Sequence, residues 1–168
     1  GTGTERIINL PDPLTLSGTL KISTAGYVLS NGTLGINGGL LDVMENTTIA
    51  SAITQLNSGT INVALDKTLT YSGNIHKIAA FSLTLSGGGT ITNANAFTLN
   101  DPASVLVLKG IKQISAVAVS GELNSGMLSV ENDVLIQTLS HTGSSRLDIS
   151  TETTLTVQNL FEVPQNKS

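Results

Sequence analysis

Pairs of aliphatic residues recur through the last two-thirds of this chain at a spacing of about 22 residues. One series of such pairs consists of Ile61/Val63, Leu83/Leu85, Val105/Val107, Leu128/Val130 and Leu147/Ile149. A repeat of this length predicts a solenoid, because stacked coils about 4.8 Å apart place each inward residue on its counterpart in the next coil.

Two further series keep nearly the same spacing. The second consists of Leu69/Tyr71, Ile91, Ile111 or Ile114, Val134/Ile136 and Leu155/Val157. The third consists of Ile75 to Ile78, Phe97/Leu99, Val117/Val119, Leu139 and Leu160. Three series predict three short strands per coil and about five coils. A β-sandwich would also alternate polar and apolar residues, but it does not require one repeat in three registers at once.

Composition supports a β-rich chain and excludes several classes. Hydrophobic residues make up 39% of the chain and charged residues only 12%, with Thr, Ser, Asn and Gly filling the difference. Disorder requires the opposite balance. The net charge of −4 comes with scattered Lys and Arg, so no nucleic-acid partner is predicted. There is no cysteine and no apolar run long enough for membrane insertion, and we predict no cofactor.

The chain before the repeat has a different texture. Ile49, Ala52, Ile53 and Leu56 follow the spacing of an amphipathic helix, so residues 46–58 are predicted to form a capping helix before the first coil. Residues 1–45 contain only short apolar pairs between Gly, Pro and Asn, which is typical of an extended segment that needs a partner. The expected division is therefore a stem at 1–45 and a solenoid domain at 46–168.

Three segments resemble the opening of pectate-lyase-like β-helices: Thr48 to Val63, Lys67 to Gly73 and Phe81 to Ile91. The resemblance implies an all-β fold, a single-stranded right-handed parallel β-helix with a short N-terminal capping helix. That fold carries lyases, hydrolases, phage tailspikes and adhesins, so it implies little about activity.

The first region has a second resemblance. Its segments Arg6 to Pro13 and Ser23 to Gly32 are similar to shaft segments of phage tail fibres and related bacterial fibre proteins. Such segments are homotrimeric. The two resemblances together imply a homotrimeric extracellular fibre, on a bacterial cell surface or a phage virion, whose β-helical tip binds a cell-surface receptor such as a glycan.

A catalytic constellation is hard to assemble from these residues. The two histidines, His76 and His141, are predicted several coils apart, so no metal site is expected. The candidate carboxylates are expected to solvate turns: Asp66, Asp101, Asp133, Asp148 and Glu152. A non-enzymatic tip is therefore the main hypothesis. The alternatives are a polysaccharide-cleaving depolymerase fragment, which needs two carboxylates on one groove, and a passive structural segment of a longer secreted solenoid adhesin.

Ligand-binding residues are predicted among the polar side chains of turns and among the few aromatic residues. A core role stays open for Tyr71, which shares a strand with Leu69. The candidates are Tyr71, His76, Lys77, Asn93, Asn95, His141 and Arg146. A trimer interface, or a surface covered by a loop, is predicted where apolar residues interrupt the outward polar pattern, at Leu106, Leu108, Ala116 and Ala118.

A Thr-x-Thr pattern recurs at Thr68 to Thr70, Thr90 to Thr92 and Thr154 to Thr156. Regular threonine ranks on a flat solenoid face can bind ice. The intervening coils carry Gly110 to Lys112 and Asp133 to Leu135 instead, and this broken rank argues against that function.

Overall fold

The structure is a computed structural model that describes residues 6–73, 77–78, 80–99, 101–119, 126–142 and 145–163. Over these ranges the chain is all β, with no helix and hence none that could cross a lipid bilayer. The strands in chain order are β1 (Arg6–Asn9), β2 (Leu14–Leu16), β3 (Thr19–Ile22), β4 (Tyr27–Ser30), β5 (Thr33–Ile36), β6 (Leu40–Val43), β7 (Thr47–Ile49), β8 (Ala52–Gln55), β9 (Gly59–Val63), β10 (Thr68–Tyr71), β11 (Lys77–Ile78), β12 (Ser82–Ser86), β13 (Thr90–Asn93), β14 (Phe97–Leu99), β15 (Val105–Lys109), β16 (Gln113–Val119), β17 (Met127–Val130), β18 (Val134–Thr142), β19 (Arg146–Ile149) and β20 (Leu155–Val163).

These strands form three faces of a parallel β-solenoid. The first face runs β3-β6-β9-β12-β15-β17-β19. The second runs β1-β4-β7-β10-β13 and continues into the first halves of β16, β18 and β20. The third contains β2, β5 and β8, then β11, β14 and the second halves of the same three long strands. The long strands therefore pass around one corner.

Every ladder between these strands is parallel, which excludes the sandwich and confirms the predicted solenoid. The repeat is about 21 residues and the described chain makes about seven turns, against the five predicted. Individual coils differ in length, as the pairs Val130↔Ile149 and Ile61↔Leu85 show. Corners absorb these differences, so the inward columns stay in register.

Alternation within each strand fills the interior with aliphatic columns. On the second face, Leu69, Ile91, Ile114 and Ile136 stack in register and are at most 1% exposed. Burial of such columns is the main stabilisation available to a solenoid, because no single short strand can bury its own apolar side. Two aromatic rings, Tyr71 and Phe97, stack inside with centroids 6.1 Å apart.

The predicted capping helix at 46–58 is wrong. Residues Thr47–Ile49 and Ala52–Gln55 are the strands β7 and β8, which meet at a corner. Ile49 and Ile53 both point inward because each belongs to a different face, and this geometry imitates helical spacing. Leu56, which completed the helical stripe, is exposed.

Residues 6–45 lie in the same solenoid as the chain that follows. β4 pairs with β7 and β6 pairs with β9, so the ladders run across the predicted boundary between residues 45 and 46. The N-terminal region supplies the first coils and the additional turns. Its assignment as a trimeric stem stays a prediction.

The inward register predicted at β15 is wrong by one residue. Leu106 and Leu108 pair with Leu83 and Leu85 and are fully buried. The half-buried outward residues are Val105 and Val107. Their side chains, and not those of the two leucines, face the exterior.

Candidate functional site

Five threonines lie together on the outside of the second face. Thr48, Thr70 and Thr92 form one column across β7, β10 and β13, and Thr68 and Thr90 form a second column beside it. We call this group the threonine face: Thr48, Thr68, Thr70, Thr90 and Thr92.

Alternation along the strands places these side chains outside. In β10, Leu69 and Tyr71 point inward and are each 1% exposed, so Thr68 and Thr70 must point outward. Threonine suits this position, because its branched Cβ favours a strand and its hydroxyl can both donate and accept a hydrogen bond. The result is a regular array of hydroxyl groups repeated once per coil.

A depression of about 390 Å³ lies at the N-terminal end of this face. We call it the Tyr27 depression, and it is lined by Gly26, Tyr27, Val28, Asn46, Thr47, Thr48, Thr68 and Thr70. It therefore combines an aromatic ring, an amide and several hydroxyls, side chains that come from three successive coils.

Neighbouring contacts hold the polar and aromatic groups of the depression in place. Asn46 Oδ1 accepts a hydrogen bond of 2.9 Å from the backbone N–H of Thr68, one coil further on. Tyr27 is half-buried, and the Arg6 guanidinium carbon lies 5.7 Å from its ring centroid. Beside Asn46, Glu45 pairs with Lys67 at 2.7 Å. Contacts within the chain therefore restrain the Asn46 amide and the Tyr27 ring.

The groups of this arrangement are ones that can contact a sugar. A sugar presents hydroxyls, which pair with amides and hydroxyls, and an apolar C–H face, which packs on an aromatic ring. Within the described residues no group of three or more His, Asp or Glu side chains is arranged to hold a metal ion.

The predicted ligand residue Tyr71 is part of the core. Its phenol oxygen accepts a 3.3 Å hydrogen bond from the backbone N–H of Ile53. Burial raises the pKa of the phenol above its ordinary value, and the Ile53 hydrogen bond lowers it by less. A side chain in this position holds two faces together and is closed to a ligand.

Asn93 and Asn95 are structural as well. Asn93, 5% exposed, donates 2.8 Å hydrogen bonds to the carbonyls of Asn95 and Ala116 and accepts from the backbone N–H groups of Ser115 and Ala116. Asn95 donates to the carbonyl of Gly73 at 2.9 Å. These amides join successive coils at a corner, so the structure does not present them as a ligand surface.

Three of the predicted ligand residues fall wholly or partly outside the described part. His76 lies outside it altogether. The backbones of Lys77 and His141 belong to β11 and β18, but their side chains are not described. Arg146 is exposed on β19 and lines a different depression, on the first face. Among the candidates whose side chains are described, Arg146 therefore lies on a different face from Tyr71 and Asn93.

The candidate interface residues separate into two kinds. Leu106 and Leu108 are inside the solenoid, so they cannot contact a neighbouring subunit. Ala116 and Ala118 are half-buried and point outward from β16. An outward aliphatic surface therefore exists, but on the first face it consists of Val105 and Val107.

Several candidate carboxylates make contacts that are structural. Asp66 pairs with Lys112 at 2.9 Å, Asp101 accepts from the N–H of Ala103 at 2.8 Å, and Asp133 accepts from the N–H of Thr154 at 2.7 Å. Of the others, Asp148 lies on β19 and Glu152 follows it with a positive φ. The described contacts of Asp66 and Asp133 therefore join different coils, whereas that of Asp101 lies within its own turn.

The threonine face and the Tyr27 depression were not selected from the sequence as a ligand site. Part of the signal was present, because Thr68 to Thr70 and Thr90 to Thr92 share the 22-residue phase. Thr48 lies in the segment that was incorrectly predicted to be a helix. The prediction therefore lacked the coil that joins the threonine columns to Tyr27 and Asn46.

Comparison of the chain with protein-family models, with curated proteins and with solved structures finds no match. The solenoid architecture is therefore assigned from the strand ladders alone.

Proposed function

We propose that this chain is the receptor-binding part of a homotrimeric extracellular fibre and that its threonine face, with the Tyr27 depression, binds a cell-surface glycan without cleaving it. The observation that carries the proposal is the continuity of the hydroxyl columns with a depression holding an aromatic ring and an ordered amide. A polymer lying along the solenoid axis would meet the same groups in successive coils.

The fibre and trimer parts of the proposal have separate support. The resemblance of the first region to fibre shafts favours three chains on the surface of a bacterium or a phage particle. The outward aliphatic residues of β16, Ala116 and Ala118, are the surface that such a trimer would cover.

The test of binding begins with a glycan array and continues with two matched variants. Replacing Thr48, Thr70 and Thr92 together with valine removes three hydroxyls while keeping shape and strand preference. Each hydrogen bond contributes about 0.5–1.5 kcal/mol, so affinity for the array hit should fall about tenfold or more. The control replaces Thr54, Thr60 and Thr84, which are outward threonines of the other two faces, with valine. This control variant should keep its affinity for the glycan.

Two results would overturn the proposal. Equal loss of affinity in both triple variants would place the ligand elsewhere. Release of shorter sugars from the bound glycan, measured as new reducing or unsaturated ends, would favour the depolymerase alternative. Light scattering at several concentrations tests the trimer independently, since a passive segment of a longer adhesin predicts a monomer without glycan affinity.

A further inference from the structure

A second depression lies on the first face, near the other end of the solenoid. Val105, Met127 and Arg146 stand in one column on the outside of β15, β17 and β19. The corner before β15 forms the wall beside them. We call this the Arg146 depression; it has a volume of about 350 Å³ and is lined by Pro102, Ala103, Ser104, Val105, Gly126, Met127 and Arg146.

The wall of this depression is a well-braced corner. The carbonyl of Asp101 accepts hydrogen bonds from the N–H of Ser104 at 3.0 Å, from the Ser104 hydroxyl at 2.7 Å and from the N–H of Gly126 at 2.8 Å. The last of these bonds ties the corner to the next coil. Pro102 and Ala103 are thereby held at an exposed position beside the column.

Gly126 allows the corner to lie this close. Its φ is +42°, a conformation that favours glycine, and a Cβ there would lie 2.5 Å from the Ser104 hydroxyl oxygen. The depression therefore depends on a specific local backbone conformation at its base.

Arg146 brings a positive charge to this surface. Lys67, Lys109 and Lys112 each pair with a carboxylate, at 2.7, 3.7 and 2.9 Å. Arg146 has no such ion pair within the described ranges. The nearest carboxylate in sequence on the same side of β19 is that of Asp148. The Asp101 carboxylate accepts a hydrogen bond from the N–H of Ala103, within its own corner.

We infer that the Arg146 depression binds a carboxylate-bearing sugar. The planar guanidinium can donate two parallel hydrogen bonds to the carboxylate, and Val105, Met127 and Pro102 offer an apolar surface for the C–H face of the ring. The volume lies within the range of small-ligand sites. This inference rests on the proposed function, from which it takes the class of ligand, but it concerns another face and other residues.

The test uses two sources of the same chemistry, each with a neutral counterpart. Sialyllactose is compared with lactose, and a glucuronate oligosaccharide with its carboxyl-reduced form. We expect each acid to bind about tenfold or more tightly than its counterpart, and Arg146→Gln to remove most of that difference. Arg146→Lys should recover part of it, because lysine retains the charge without the two-pronged geometry.

Lys21→Gln is the matched control. Lys21 is exposed on the same face, has no ion pair within the described chain, and its replacement changes the net charge by the same amount. Equal weakening by Lys21→Gln and Arg146→Gln would indicate general electrostatic attraction and overturn the inference. Equal binding of acids and neutral sugars would overturn it too.

Two further outcomes keep this inference separate from the proposed function. Loss of neutral-glycan affinity in the threonine triple variant, with acids indifferent to Arg146, would overturn the inference and support the threonine face. Acid binding that depends on Arg146 but is unchanged by the threonine substitutions would support the inference and overturn the threonine face as the glycan site. An acidic peptide that binds through Arg146 while the sugars do not would overturn the assignment of the ligand.

Discussion

The inside and the outside of the solenoid wall follow different rules, although they alternate along the same strands. Inside, aliphatic residues stack in columns, and polar exceptions such as Asn93 and Gln55 are rare. Outside, β10 carries threonines whereas β15 carries valines. Interior residues therefore determine the register between coils, while exterior residues are free to differ from coil to coil and so can carry binding.

The strongest challenge to this division is a pair of adjacent substitutions in β15. Leu106→Asp should prevent folding, because cavity formation costs about 2–5 kcal/mol and the unpaired buried carboxylate adds to it. Val107→Asp should leave the chain folded. Circular dichroism and thermal melting distinguish them, and a folded Leu106→Asp variant or an unfolded Val107→Asp variant would show that the register of β15 is misassigned.

A smaller loss is expected from the interior amide at a corner. Asn93→Leu removes the acceptor of the Ser115 and Ala116 N–H groups, and each buried unpaired group costs about 1–3 kcal/mol. Urea unfolding measures the change. Asn95→Ala, which removes one hydrogen bond to Gly73, is the control and should cost less. Equal losses would mean that the interior network is not what stabilises this corner.

A gain in stability is expected at the other interior amide. Gln55 is 4% exposed, and neither polar atom of its side chain has a hydrogen-bond partner within the described structure. Gln55→Leu should therefore stabilise the chain by about 1–2 kcal/mol, which would raise Tm by a few degrees. Gln113→Leu, on the outward side of β16, should change stability by less than about 0.5 kcal/mol. A destabilised Gln55→Leu variant would refute the interpretation.

The smallest effect concerns Tyr71 and is confined to alkaline pH. Because burial raises the pKa of this phenol in the folded state, its contribution to stability is fully present below about pH 10 and is lost as the pH rises through the folded-state pKa. The chain has two tyrosines, so in a Tyr27→Phe variant all tyrosinate absorbance comes from Tyr71. That absorbance should rise together with loss of the β signal. Tyrosinate formed while the chain remains folded would place the phenol in contact with water.

Much of the fold was predictable because stacking constrains sequence. Inward columns must be apolar in every coil, so the periodicity of the aliphatic pairs predicted three parallel faces and most of the columns. The predicted register was wrong at β15 because four consecutive aliphatic residues are compatible with either set of alternate residues pointing inward. The prediction of a capping helix was wrong because inward residues on the two faces that meet at a corner lie four residues apart, as buried residues of a helix do.

The candidate site was less predictable because no comparable constraint acts on exterior residues. Polar residues near turns were chosen as ligand residues, yet Asn93 and Asn95 hydrogen-bond successive coils and Tyr71 lies in the core. Tyr27 and Asn46 come together with Thr70 only through the strand ladders across three coils. Arg146 was selected from the sequence, but its neighbours Pro102 and Met127 were not.

The equal spacing of Thr48, Thr70 and Thr92 has a consequence for how a repetitive ligand would be held. A polymer whose own period is close to the rise between coils can shift by one coil and form the same contacts again. Several bound positions of nearly equal energy then coexist, and each adds to the observed association constant. Attachment of that kind tolerates chains of different length, and a pulled ligand would move stepwise along the wall before it is released.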